Sequence, residues 1–229
     1  PKSTQKLYIN RFNKYYPDDT TKENSQSNGP LMRAYPLAFI KDTNIIRTDV
    51  EITNPSILCY NAVFAYVMAI KMSLEGETKK DIEVYVRSVI EHNDLSVAFE
   101  QAVNNEFRDV TKSRGHIVHA FYCAFWGLFQ FDNYKSAIDA IISLSPEPNV
   151  PAKFCEPGKW KKKEVIVGDT DTNAAITGAL LGSFYGITQL LFDPVTNKNI
   201  NILLSCDSTM NDIPRPKQYE IKHNIGLIH

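Results

Sequence analysis

Between Glu51 and Lys71 the chain carries no charged residue, and the stretch PSILCYNAVFAYVMAIKMSL within and beyond it starts at Pro55 and is followed by Gly76. A segment this long and apolar either crosses a bilayer or lies at the centre of a folded core. Thr53, Asn54, Ser56 and Asn61 fall in or beside it, and hydrocarbon penalises such groups. The reading is therefore a long core helix from Asn54 or Pro55 to about Leu74, with Pro and Gly at its two ends. A second uncharged run, from Asp171 to Asp193, contains Asn173, Thr177, Ser183, Thr188 and Gln189 and reads the same way. Two buried helices of this kind need a sizeable surround. The 229 residues suffice, since a chain of this size buries roughly 70% of its unfolded surface.

The rest of the chain supplies that surround with helical periodicity. Leu7, Ile9 and Phe12 suggest a short amphipathic start, and residues 31 to 40 a compact apolar helix broken near Pro36. Thr78 and Asp81 form a capping arrangement for DIEVYVRSVIEH, Ser96 starts a helix through about Phe107, and HIVHAFYCAFWGLFQF is an aromatic-rich buried helix. Asn133 caps KSAIDAIISL, and a last helix runs from about Asp171 to Leu191. Residues 145 to 163, rich in Pro and Lys, form a loop, and EVIV at 164 to 167 is a brief apolar stretch. There is no internal repeat and no Gly/Ser-rich linker. The expectation is one mostly α-helical domain over residues 1–229.

Charge and cysteine usage narrow the setting. Lys plus Arg number 25 against 26 for Asp plus Glu, so no global field draws the chain to nucleic acid or anionic lipid. Cys59, Cys123, Cys155 and Cys206 include no C-x-x-C pair, which favours free thiols over a zinc knuckle or a disulfide framework. The N-terminal PKSTQKLYINRFNKYY has no apolar leader core. A cytoplasmic or other reducing intracellular compartment is expected. The first residue, Pro1, fits Met removal and equally fits a fragment.

The segment richest in chemistry is GDTDTNAAITGALLGSFYG, residues 168 to 186. Asp169, Thr170, Asp171, Thr172 and Asn173 crowd two carboxylates, two hydroxyls and an amide at a helix start. Capping needs one such side chain, so the cluster is either an elaborate N-cap or a hard-oxygen cation site with open positions for water and substrate. Gly178, Gly182 and Gly186 recur at i, i+4 and i+8, and the stripe suggests a second backbone packed closely against that face.

GDTDTNAAITGALLG resembles the C-terminal signature of the ADP-ribosylglycohydrolase family. Other segments match in order: SNGPLMRAYPLA at 27–38, TNPSILCYNAVFAYVMAI at 53–70, HAFYCAFWGLFQFDNYKSAIDAIISL before the GDTDT string, and RPKQY from Arg215, so that the similarity spans about residues 10 to 220. The resemblance implies an all-α, compact orthogonal helical bundle that removes ADP-ribose from a modified protein or small conjugate by magnesium-assisted cleavage at ribose C1″. It implies two Mg²⁺ ions, with Asp169, Asp171 and Thr172 as one half of their ligand set and Asp169 and Asp171 in catalysis. It also implies that Ser27, Asn28 and Gly29 bring backbone amides to the substrate phosphates. Asn54 stands where many members carry a substrate-contacting histidine. The implied partners are ADP-ribosylated proteins or ADP-ribose conjugates; no membrane is expected, and nucleic acid only as an ADP-ribosylated substrate.

The departures from the family pattern are specific. Members carry a further Thr-Asp-Asp metal segment well upstream of S-N-G, and these residues start after it, so the expectation is an N-terminally truncated member with one half-site. PDDTT at 17–21 reads as the loop before S-N-G rather than a replacement, and Val167 stands where most members have a first glycine. The alternative function is a catalytically impaired relative that binds ADP-ribose or a protein partner; a purely structural helical protein is a third reading. His116, His119 and Cys123 have spacings compatible with a metal pair or a thiol-base dyad but read as partly buried helix residues. Tyr122, Phe125, Trp126 and Phe129 read as core, with adenine stacking the alternative.

Overall fold

In the computed structural model, residues 25–144, 168–186 and 198 are described. The chain divides into two compact units, Pro1–Gln189 and Leu190–His229, and all described residues but Lys198 belong to the first. The expectations for residues 1–24, 145–167 and the tail with RPKQY lie outside the described residues.

Among the described residues the secondary structure is helical, as expected for an all-α chain. In order these are α1 (Gly29–Met32), a 3₁₀ turn (Tyr35–Phe39), α2 (Asn44–Thr53), α3 (Ile57–Leu74), α4 (Lys79–Val89), α5 (Asn93–Val103), α6 (Ile117–Gln130), α7 (Tyr134–Ile142) and α8 (Thr170–Tyr185). The central element is α3. Eleven of its 18 residues are buried, so it is enclosed on most sides, as its uncharged sequence requires. By length and composition it is the one described helix long and apolar enough to cross a membrane, and it sits in the core. Helix α8 lies against α3, α6 and α7, α5 pairs with α6, and α2 and α4 flank α3.

Local chemistry explains the ends. Ser56, rather than Pro55, caps α3: its hydroxyl accepts from the Cys59 amide at 3.1 Å, while Pro55 sits one residue before the cap. Its far end closes in a Schellman turn, with Gly76 at φ +85°, Gly76 N–H donating to Ser73 and Glu77 N–H to Met72. The Thr78–Asp81 capping box is present, and Asn133 caps α7 through the Ser136 amide at 2.8 Å. Asn61 ties α3 to its flanking helices. It is buried, donates to Val89 O at 2.7 Å and accepts from the Glu91 and His92 amides at 2.8 and 3.0 Å, so the α4–α5 junction is hung from α3.

The helix bounds differ from the expectations in four places. The helix expected over residues 31–40 with a break near Pro36 is divided earlier, into α1, which ends at Met32, and a 3₁₀ turn from Tyr35, since Pro36 has no N–H to donate to the Met32 carbonyl. Helix α5 starts at Asn93 rather than Ser96, with the His92 imidazole as its cap, and ends at Val103 rather than Phe107, where Asn105 takes φ +58° and accepts from the Trp126 indole at 2.8 Å. Helix α2 has no counterpart in the sequence reading. Helix α8 ends at Tyr185, capped by Gly186 at φ +74°, and residues 187–191 of the expected helix lie outside the described residues.

Among the described residues, the glycine stripe on α8 also meets no second backbone. A methyl at Gly178 would stand 2.7 Å from the Tyr134 hydroxyl, Gly182 faces nothing within 4 Å among the described residues, and Gly186 serves the helix end. The close approach of α8 to α6 uses a glycine on the other partner, Gly127, whose added methyl would lie 2.6 Å from Thr177 Cγ2.

Candidate functional site

Three segments meet at the start of α8. The first is residues 25–29. Ser27 pairs with His116 in an isolated antiparallel bridge, flanked by Asn28 N–H to Gly115 O at 2.7 Å and Ile117 N–H to Gln26 O at 2.8 Å. Asn54 lies against this segment and clamps it. It is 1% exposed, and its side-chain amide donates to Ser25 O at 2.9 Å, Ser25 Oγ at 2.8 Å and Ser27 Oγ at 3.1 Å. The Cys59 thiol also points at Ser25 O, at 3.5 Å.

The second segment is the loop 108–116, which doubles back through positive φ at Ser113 and Gly115. His119, one turn into α6, braces it: Nδ1 accepts from Arg108 Nε at 3.2 Å, and the ring also hydrogen-bonds the backbone of Lys112. Arg108 Nη1 in turn donates to Gln101 Oε1 at 2.7 Å. His116 caps α6 with Nδ1, which accepts from Val118 N–H at 3.3 Å, so its Nε2–H faces Gln26 Oε1 at 2.9 Å. The bland reading of the His116, His119 and Cys123 group is thus the right one. Burial pushes the Cys123 thiol up to about 12, so it is not a thiolate at neutral pH.

The third segment is the GDTDT string. Gly168 lies on the backbone of Val110, where a methyl would stand 2.8 Å from Val110 O, which explains glycine at this position. Asp169 occupies the N-cap of α8, yet its carboxylate makes no cap hydrogen bond. Instead Oδ2 accepts from Asn28 Nδ2 at 2.7 Å, a contact between residues 141 apart in the chain. Gly115 stands behind the pair: a methyl there would be 3.5 Å from Asp169 Oδ2 and 4.0 Å from Asn28 Oδ1. Asp171 is exposed and Thr172 is buried.

Of the S-N-G segment, Asn28 is the residue in hydrogen-bond contact with Asp169. The backbone N–H of Asn28 is bonded to Gly115 O. Sequence reasoning missed Gly115, whose only local signal was a glycine just before an N-cap histidine. Tyr122 and Phe125 are buried, and Trp126 stacks on Tyr122 and meets Phe131 edge-on, so this aromatic set is core.

The donor set suits a hard cation in part. Asp169 and Asp171 bring carboxylate oxygens and Thr172 a hydroxyl, and the Asp169 carboxylate is not used in capping. Among the described residues no group of three or more His, Cys, Asp and Glu side chains comes together, so these residues amount to an incomplete shell.

A sequence model of the family described as ADP-ribosylglycohydrolase matches residues 2–150, which is most of the chain. The chain belongs to the ADP-ribosylglycohydrolase family. The human ADP-ribosylhydrolase ARH3 is 23% identical to it over 192 aligned residues, covering 72% of this chain and 52% of that protein. The bovine ADP-ribosylhydrolase ARH3 is 22% identical over the same length, covering 72% of this chain and 52% of its own, and the mouse protein of that name is 23% identical with 72% and 51% covered. The chain thus spans about half the length of these relatives. The family match ends before the GDTDT string, so the placement of Asp169 rests on the geometry around Asn28.

The loop brace predicts an acid-sensitive fold. Burial first, then Arg108 and His116, push the His119 imidazole down to about 4 from its usual 6.5, against the Lys112 backbone and Asp109, which favour its charge. The unfolded chain therefore binds the extra proton between those values. His119 contributes stability in full above pH 6.5, and that contribution is lost as pH falls from 6.5 toward 4. After allowance for partial exposure the loss is on the order of 1 kcal/mol. Urea midpoints at pH 7.5 and pH 5 measure it, and His119→Gln is expected to flatten the difference.

Proposed function

We propose that the chain is a hydrolase that removes ADP-ribose from a modified protein or small conjugate. The observation that carries this reading is the hydrogen bond from Asn28 to Asp169, which joins the S-N-G segment to the GDTDT segment in one place. The relatives' name, ADP-ribosylhydrolase, supports the reaction class. The substrate would sit against Ser27–Gly29 with its ribose toward Asp169, and the exposed Asp171 would face the attacking water. In the reaction the oxygen of water bonds to C1″, and the acceptor leaves with the bonding electron pair and takes up a proton. Magnesium held by Asp169, Asp171 and Thr172 would supply charge stabilisation and a more acidic bound water. The buried free thiols of Cys59 and Cys123 are in keeping with a cytoplasmic or other reducing compartment.

A second reading, a relative that binds ADP-ribose without turning it over, is favoured by the incomplete acidic set. One assay separates the two. The full chain is incubated with an ADP-ribosylated protein and with free conjugates, with Mg²⁺ or with a chelator. Release of ADP-ribose that requires Mg²⁺ supports hydrolysis. Binding of ADP-ribose by calorimetry without release supports the second reading, and absence of both overturns the first.

A further inference from the structure

We propose that Asn28 is a positioning residue for Asp169, an inference that rests on the magnesium-dependent reading above. The position of Asp169 leaves its carboxylate without a local task. At the first turn of a helix an aspartate at this place would ordinarily accept from the next amides, and here it does not. The Asn28 side-chain amide takes one oxygen, Oδ2, at 2.7 Å, and Oδ1 has no hydrogen-bond partner among the described residues.

Asn28 is itself held rigidly. It is 5% exposed, its backbone N–H is bonded to Gly115 O at 2.7 Å, and its carbonyl accepts from Leu31 and Met32 at the start of α1. Gly115 packs beside the pair and takes φ +79°, a backbone conformation that favours glycine, so the segment that holds the Asn28 N–H turns tightly here. A carboxylate fixed through one oxygen by a buried donor presents its other oxygen in one orientation. That is the arrangement of a ligand with a supporting partner, and loss of such partners typically lowers metal affinity about 10–100-fold. The structure therefore gives the asparagine of S-N-G a task toward Asp169 rather than toward a phosphate.

The test is Mn²⁺ binding to the full chain, followed by electron paramagnetic resonance, with unfolding midpoints read separately on the metal-free protein. Asn28→Ala removes the donor, and Asn28→Leu removes it while keeping a branched side chain that fills the space. Both are expected to weaken Mn²⁺ at least fivefold and to change the spectrum of the bound ion, with Asn28→Leu keeping a cooperative unfolding transition. Asp169→Asn is the control for the underlying reading. Should it abolish Mn²⁺ binding while the folded Asn28 variants stay within fivefold of the parent, the positioning role is overturned and the metal reading survives. A parent chain that binds no Mn²⁺, or an Asp169→Asn chain that binds it unchanged, overturns both.

Discussion

Asp169→Asn is expected to lower Mg²⁺-dependent release of ADP-ribose by about 100-fold or more while leaving the fold intact within about 1 kcal/mol. The two halves of this result have separate causes. A cation ligand contributes several kcal/mol of charge stabilisation, and each 1.36 kcal/mol is a factor of ten in rate. Stability is preserved because the carboxylate does not cap α8, and an asparagine carbonyl can still accept from Asn28 Nδ2. Asp169→Ala is the less clean variant. It leaves the nearly buried Asn28 amide without its acceptor, an omission that costs about 1–3 kcal/mol. Paired measurements of turnover and urea midpoint distinguish the two. Equal loss of stability in both variants, with turnover retained, would mean that Asp169 is only a fold element.

The second large effect is Gly127→Ala. By helix propensity this exchange should stabilise α6 by about 1 kcal/mol. The structure reverses the sign, because the new methyl would stand 2.6 Å from Thr177 Cγ2 and the threonine, branched at Cβ, cannot rotate away cheaply. Overpacking of this kind costs about 1–3 kcal/mol. Since α6 carries the loop brace and α8 carries Asp169, a forced separation would also weaken the Asn28–Asp169 contact. Thr177→Ala tests the cause: it removes the offending methyl together with a buried hydroxyl that has no hydrogen-bond partner among the described residues. The double variant is expected to recover most of the lost midpoint, and a double-mutant cycle gives the coupling.

How much of this was legible in the sequence follows physical lines. Helices α3, α4 and α7 were readable because Gly76, Thr78 with Asp81, and Asn133 are local signals acting over three or four residues, and α6 because its apolar run is long. Helix α2 was not, since it buries only Ile46, Val50 and Thr53 and is otherwise solvated. The early start of α5 escaped because histidine is an unusual cap. The glycine stripe on α8 misled for a different reason: a close helix contact needs a small residue on either side, and periodicity cannot say which. For the site, the two strings and their residue types were visible, and with them Ser27, Asn28, Gly29 and Asp169. Their junction was not. Gly115, the Asn28–Asp169 bond and the Asn54 clamp on residues 25 and 27 depend on where distant segments come to rest.

The contact from Asn28 to Asp169 also bears on how the molecule folds. Local contacts form early, whereas a pairing across 141 residues must wait until most of the intervening chain has collapsed. Helices α3 to α7 can assemble around one another from near neighbours, with the Asn61 hanger and the aromatic face of α6 already in place. The site is therefore expected to close as α8 docks, and amide exchange at Asn28 and at the first turn of α8 should report the same opening.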